Sequence, residues 1–384
     1  MHQKQSIGLY IHIPYCVRKC RYCDFLSFQD RYAEEGGRYF QALREELVFL
    51  SERYGQGSPY AVRSLFIGGG TPSVAESSEI VGLMETVYSR FMVEEKAEMT
   101  IEANPGTVTL EKLRIFYRTG INRLSLGVQS LDDGVLKAMG RIHSTKEAIS
   151  SYEMARQVGF SDINLDLMLG FPGQSVPAFE HTLRQAIAMG PEHLSAYSLI
   201  VEEGTPLCAD IDDGRLAEPE QEADRAMYHL ACRLLTEAGY ERYEISNFAR
   251  PGYESRHNTG YWTGVPYLGA GLGAASNMEG VRFKNTEDMK TYLESLPDKK
   301  RDGAYDEPLT RQDEMDEFMM LGFRLAKGPD AATFAARFGV PYTDVYGPRL
   351  DKLLREGLIE QCPTGFCLSE QGLDLGNLVF EEFV

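Results

Sequence analysis

Long apolar runs are missing from this 384-residue chain. No stretch approaches the roughly 20 residues needed to cross a bilayer. The first eight residues have neither the hydrophobic stretch nor the small-residue cleavage site of a secretory signal. A cytoplasmic protein without a transmembrane segment is therefore expected. Basic residues are also short: 39 Lys plus Arg face 57 Asp plus Glu, a net charge of −18. Such a surface repels polyphosphate and anionic lipid, which argues against a general nucleic-acid binder. Cysteine is too sparse for a disulfide framework, since there are only seven, an odd number. Tryptophan occurs once. What remains, 43% hydrophobic and 25% charged residues, is the composition of a folded protein large enough for more than one ordinary domain.

A repeating unit organises the first half of the chain. Short apolar, β-branched runs at 7–13, 64–67, 99–103, 123–128, 162–168 and 193–199 alternate with stretches whose apolar residues return every three or four positions, at 39–53, 77–91, 110–119, 145–158 and 177–189. Strand and helix alternating at this spacing predict an α/β fold: a parallel sheet covered by helices, with six units that close or nearly close a barrel. A further helix at 219–238 leads to a strand-like run at 240–248 and a glycine-rich segment through Gly280. Residues 297–308 are polar and turn-forming and read as a break. Beyond them, helices at 311–323, 330–338 and 345–356 followed by short strands near Ile359 and Phe366 suggest a mainly α, winged-helix-like domain. From Pro308 to Val384 there are 7 basic against 13 acidic residues, a net of −6, so the DNA-binding use of that fold is disfavoured.

The strongest chemical signal is Cys16-x3-Cys20-x2-Cys23, in the loop after the first strand. Thiolates are the usual ligands of iron–sulfur clusters, and three close on one loop can meet three corners of a 4Fe-4S cube. The fourth iron is then open to a small chelating molecule. Zinc would want a fourth ligand, and a second CxxC is missing. A thioredoxin-like Cys20–Cys23 pair would leave Cys16 without a role. Cys208, Cys232, Cys362 and Cys367 are scattered and read as ordinary thiols.

Together with the segments FIGGGTPS, IEANP, NRLSLGVQS, DLMLGFPGQ and HNTGYW, this loop resembles the radical S-adenosylmethionine superfamily, and within it the oxygen-independent coproporphyrinogen III oxidase branch. The resemblance covers nearly the whole chain. It implies a partial (β/α)6 barrel over 1–240, a barrel extension over 241–300, and a C-terminal domain of the same branch over 301–384. It also implies a reaction in which a reduced 4Fe-4S cluster gives one electron to the sulfonium of S-adenosylmethionine, yielding methionine and a 5'-deoxyadenosyl radical. Ligands of such barrels sit at the C-terminal strand ends. By resemblance, Gly69, Gly70 and Thr71 meet the cofactor's amino-acid end, Glu102 its ammonium, and Arg141 its carboxylate. Gln129 and Asp166 match positions for ribose hydroxyls, and Tyr10 and Tyr22 match flanking aromatics. The plainer readings stay open: glycines for a tight turn, strand-end polar residues as solvated caps, and Arg141 in a surface ion pair.

Two departures separate this chain from the decarboxylating enzymes of the branch. Those carry a fourth cysteine two residues past the third, where Phe25 stands here, and a long extension ahead of the cluster, where only fifteen residues precede Cys16. The chain is more similar to HemW-type haem chaperones. Its segment His257-Asn258-Thr259-Gly260-Tyr261-Trp262 fits their haem-associated HNxxYW motif. An imidazole can ligate haem iron and aromatics can face a porphyrin; the plainer reading of His257 is a hydrogen-bonded structural residue. The resemblance thus implies haem as a third ligand, haem-acceptor proteins such as membrane respiratory enzymes as partners, and a homodimer. The alternative functions are oxidative decarboxylation of coproporphyrinogen III to protoporphyrinogen IX, and a winged-helix regulator with a redox-sensing cluster.

Overall fold

The structure is a computed structural model that describes residues 4–384. Six parallel strands form its centre: β1 (Gln5–Ile13), β2 (Tyr60–Gly69), β3 (Val93–Ala103), β4 (Arg123–Gln129), β5 (Ile163–Leu169) and β6 (His193–Ser198). They lie side by side in chain order. Every residue of β4 is buried, as expected for a strand covered on both faces. The crossovers are helical: α1 (Tyr32–Tyr54), α2 (Ser77–Arg90), α3 (Leu110–Arg118), α4 (Asp133–Met139) with α5 (Thr145–Val158), and α6 (Val176–Met189). The boundary of α5 shows why these residues start and stop a helix. Ser144 and Glu147 form a reciprocal capping box, and Gly159, at φ +115°, ends the helix in a left-handed turn that a side chain would strain.

The sheet does not close. It extends past β6 through β7 (Glu241–Arg242) and β8 (Asn247–Ala249), which pair antiparallel. Past β1 it continues through the parallel β9 (Tyr267–Ala270) and the antiparallel β10 (Ala275–Met278), β11 (Val281–Asn285) and β12 (Arg301–Pro308). Two expectations change here. The run at 240–248 is two short strands, not one, because the buried Glu244 carboxylate accepts bonds from Ser246 N and Asn247 Nδ2 and turns the chain between them. The polar stretch at 297–308 is not a simple break: after a short turn it becomes the last strand of the sheet. A strand paired on one side only tolerates charge and turn residues, and Arg301 here packs over Phe283 and pairs with Asp306 at 2.6 Å.

Two short helices on the mouth side were not expected separately: α4 and α7 (Pro206–Asp212). After them come α8 (Gln221–Glu237), α9 (Arg256–Trp262) and α10 (Met289–Glu294). The C-terminal region follows the expected order of α11 (Arg311–Gly322), α12 (Ala331–Phe338) and α13 (Tyr342–Arg355), then the hairpin β13 (Ile359–Cys362) with β14 (Gly365–Leu368). Its own aromatic core, built on Phe323, Phe334, Phe338, Tyr342, Tyr346 and Phe383, is separate from the barrel core. The two are joined by Ala326 N donating to Tyr243 O at 3.0 Å and by His229 bonded to Asp374 at 3.0 Å. Among the described residues no helix is long and apolar enough to cross a membrane.

Candidate functional site

At the C-terminal ends of the six strands lies a cavity of about 270 Å³. It is lined by Cys16, Cys20, Cys23 and Tyr22 from the loop after β1, by Gly69, Gly70 and Thr71 after β2, by Glu102 on β3, Gln129 on β4 and Asp166 on β5, and by Arg141 after α4. Eleven residues that the chain separates by up to 150 positions thus face one space. Of the expected cofactor residues, only Tyr10 does not line it. Its hydroxyl bonds His12 Nδ1 at 2.9 Å deeper in the barrel, where its ring stacks on Phe66.

The cysteine loop is pinned at both ends. Tyr15–Cys16 pairs as a two-residue parallel ladder with Phe28–Gln29, and Arg21 N bonds Met139 O while Leu207 N bonds Arg21 O. All seven cysteines are free thiols. Burial raises the Cys16 pKa, with Thr71 and Ser27 hydroxyls opposing, and burial pushes Cys23 up to about 11. Among the described residues no three His, Cys, Asp or Glu side chains are grouped to hold one metal ion. That agrees with the chemistry of the donor set, because a cube spreads its thiolates over separate irons. Three thiols with no fourth nearby among the described residues, opening on one cavity, fit a cluster with one free iron.

The glycines after β2 are fixed first by the protein's own packing. A Cβ on Gly69, at φ +112°, would come within 2.5 Å of His12, and one on Gly70 within 2.8 Å of Tyr15 O. The turn they allow aims Gly69 N at Glu102 Oε2, 3.1 Å away. Burial, then the neighbouring Asp166, raises the Glu102 pKa to about 8. Asp166 is raised too, by burial, against hydrogen bonds from Ser195, Asn164 and Ser125. Arg141 is no surface ion pair: it donates to Gly127 O at 2.5 Å, Asn104 Oδ1 at 2.6 Å and Cys20 Sγ at 3.3 Å, and its Nε is buried without a partner. Arg141 thus keeps an unused buried donor on the same cavity as Glu102, a carboxyl largely protonated at neutral pH.

Three further residues belong to the site. Asn104 bonds both Arg141 and Thr71 Oγ1 (2.8 Å), and Ser125 bonds Asp166 at 3.1 Å. Tyr197, ending β6, donates to Gln129 Oε1 at 2.5 Å. Gln129 itself sits at φ +64°, a strained conformation for a side-chain-bearing residue, at an irregular step in strand pairing. The strand-end argument that found Glu102 and Gln129 applies equally to Tyr197.

The HNxxYW residues lie elsewhere. Helix α9 plugs the opposite, N-terminal end of the barrel, its first N–H groups accepted by the Glu98 carboxylate (Arg256 N 2.7 Å, His257 N 3.1 Å). His257 is buried, and both ring nitrogens are engaged, Nδ1 with Ser64 Oγ at 3.1 Å and Nε2 with Tyr261 OH at 3.0 Å. Burial, then Arg123 and Arg63, lowers its pKa to about 3, so it is neutral. The cavity beside it is about 10 Å³. Asn258 lies on the same turn, its N–H accepted by Ser255 Oγ. Trp262 faces the C-terminal region, under the Arg324 guanidinium at 4.4 Å. As folded, the segment is a hydrogen-bonded plug, and no imidazole nitrogen is open to iron.

The fold and the mouth together define a radical S-adenosylmethionine protein. The family model for the Radical SAM superfamily matches residues 10–186, and that for the HemN C-terminal domain matches 309–375. The chain is 36% identical over 378 residues to the haem chaperone HemW of Bacillus subtilis (strain 168), covering 98% of each chain. It is also 36% identical to the HemW of Escherichia coli (strain K12), again over 98% of each chain. The solved coproporphyrinogen III oxidase HemN from Escherichia coli superposes with a TM-score of 0.85 over 100% of this chain and 91% of that one, at 23% identity, a likeness of fold. The chain belongs to the HemW family of radical SAM proteins.

Proposed function

We propose that this protein is a haem chaperone that binds a 4Fe-4S cluster, S-adenosylmethionine and haem, and passes haem to haem-dependent proteins, respiratory enzymes among them. The observation that carries the reading is end-to-end similarity to proteins named as HemW haem chaperones, 36% identical over 98% of the chain. The cysteine loop supports it, because Phe25 occupies the place of the fourth cysteine found in the decarboxylating enzymes.

In this reading Cys16, Cys20 and Cys23 hold the cluster, and Gly69, Gly70, Thr71, Glu102, Gln129, Arg141 and Asp166 hold the cofactor. When bound, the two groups supply one-electron chemistry at a sulfonium. The chain's own part is preparation of the cavity. Glu102 keeps its proton near neutral pH, with a pKa of about 8. A ligand ammonium beside it favours the carboxylate, so the proton leaves as the ligand arrives. Arg141 holds an unused donor for a ligand carboxylate. Tyr197 fixes the amide of Gln129 so that its other face is presented to the cavity.

The test is a titration of reconstituted protein with haem, followed by transfer to an apo-haem acceptor. A Soret shift and transfer support the reading, and absence of haem binding overturns it. An anaerobic assay with coproporphyrinogen III and reductant addresses the alternative enzyme: formation of protoporphyrinogen IX would replace the chaperone reading. Sedimentation of the loaded protein tests the expected homodimer.

A further inference from the structure

We propose that haem docks on the rim of the barrel mouth, flat against Val17, Phe25 and Ile142 with its propionates toward Arg18 and Lys19, and not on the HNxxYW segment. This rests on the chaperone reading and adds the place and mode of recognition. Haem is a flat apolar disc with two carboxylates on one edge, so its surface needs exposed apolar side chains beside cations.

The rim offers that combination. Phe25 is 63% exposed, Val17 44% and Ile142 43%, a grouping of large apolar side chains that a soluble protein does not leave bare without use. Phe25, Arg18 and Lys19 line the mouth cavity, while Val17, Arg18 and Ile142 line the adjoining cleft, which shares Cys20 and Arg141 with it. The patch is therefore continuous. Two basic residues stand beside it: Arg18 is exposed and makes no ion pair among the described residues, and Lys19 donates to Phe25 O at 2.8 Å. On a chain of net −18, Arg18 and Lys19 against the single exposed carboxylate of Asp24 leave this loop locally basic, which favours a carboxylate-bearing ligand. Ile200, 69% exposed beyond β6, extends the apolar rim on the far side, where Glu202 and Glu203 follow it. The propionate edge thus belongs on the cysteine-loop side. At the other end of the barrel His257 has both nitrogens bonded and a cavity of about 10 Å³ beside it, far too small for a macrocycle; the cavity of about 200 Å³ that Trp262 lines there opens between Gln5, Tyr60 and the C-terminal region, and His257 does not line it. Docking at the mouth would roof the cofactor cavity with the cargo.

Recognition through the disc and its propionates does not need iron, and that separates the two sites. Reconstituted protein with S-adenosylmethionine is titrated anaerobically with haem, with metal-free protoporphyrin IX, and with the protoporphyrin dimethyl ester. We expect haem and protoporphyrin to compete, and the ester to bind at least about tenfold more weakly. The charge reversal Arg18→Glu with Lys19→Glu weakens both free acids by about tenfold. Phe25→Ala weakens them several-fold, with cluster absorbance and far-ultraviolet circular dichroism unchanged. His257→Gln, which keeps a hydrogen-bonding side chain in the plug, leaves affinity within about twofold. The proposal is overturned if binding requires iron and is lost in His257→Gln. It is equally overturned if charge reversal leaves porphyrin binding intact while slowing cluster reduction by an acidic electron-transfer protein or changing the oligomeric state, since the face would then serve a protein partner. Failure of the unmodified protein to bind haem at all rejects the chaperone reading, which is a different result.

Discussion

The two ends of the barrel are built on opposite principles. At the N-terminal end, α9 fills the opening and its ionisable groups are engaged: Glu98 caps the helix, and His257 links Ser64 to Tyr261, although Thr259 Oγ1 and Trp262 Nε1 are buried without partners. At the C-terminal end, Arg141 leaves Nε without a partner, Gln129 is held at positive φ, and two raised carboxylates, Glu102 and Asp166, share a cavity. At one end the imidazole and the carboxylate are spent on the chain's own bonds, whereas at the other the guanidinium and the carboxyls face an open cavity. The family resemblance by itself would place ligands at both ends, and the geometry distinguishes them.

The sharpest way to break this contrast is at the cysteines. Replacing Cys16, Cys20 and Cys23 together by Ser should abolish the iron–sulfur absorbance of reconstituted protein while leaving the apoprotein's urea midpoint close to unchanged, because these thiols bear no fold-wide contact. A large stability loss would mean that the mouth is structural as well. The next effect belongs to the plug. Glu98→Ala strands the N–H groups of Arg256 and His257 and should destabilise by about 3 kcal/mol in urea unfolding, with S-adenosylmethionine affinity retained.

Acidity tests both ends with opposite signs. His257 has a folded pKa of about 3, below its unfolded value of 6.5, so its contribution is present above about pH 6.5 and is lost as pH falls toward 3. Glu102, raised from 4.5 to about 8, contributes stability that is complete below about pH 4.5 and lost as pH rises toward 8. Each slope is at most about 1.4 kcal/mol per pH unit. His257→Gln should flatten the acid limb of stability against pH, and Glu102→Gln the alkaline limb. Exchanged outcomes would reverse the assignment of the two ends. The smallest effect is expected from Arg141→Lys, which keeps the charge and loses the fork. S-adenosylmethionine binding by calorimetry should weaken about tenfold with the melting temperature held within a few degrees.

Much of the mouth was legible beforehand because its signals are local. Three cysteines in eight residues and polar residues ending apolar runs need only spacing to be read, and of the twelve cluster and S-adenosylmethionine candidates drawn from those two rules and the resemblance built on them, eleven face the cavity. Asn104 was missed because only its partners, Arg141 and Thr71, mark it, whereas Tyr197 stands at a strand end that the same rule covers. The strand at Arg301–Pro308 was illegible for another reason. Edge strands avoid the apolar alternation that marks central ones, so composition alone reads them as loop. Tyr10, which the resemblance implies as a flanking aromatic, stands on the first strand as expected, yet its hydroxyl bonds His12 and it does not line the cavity.

The sequence alone determined the class of fold, the cluster loop and the strand ends that gather around it, because these depend on periodicity and on ligands close together in the chain. Tertiary structure alone decided that the HNxxYW segment is a plug, since the imidazole loses its second nitrogen only when β2 brings Ser64 against it from 193 residues away, Tyr261 one helical turn on having taken the first.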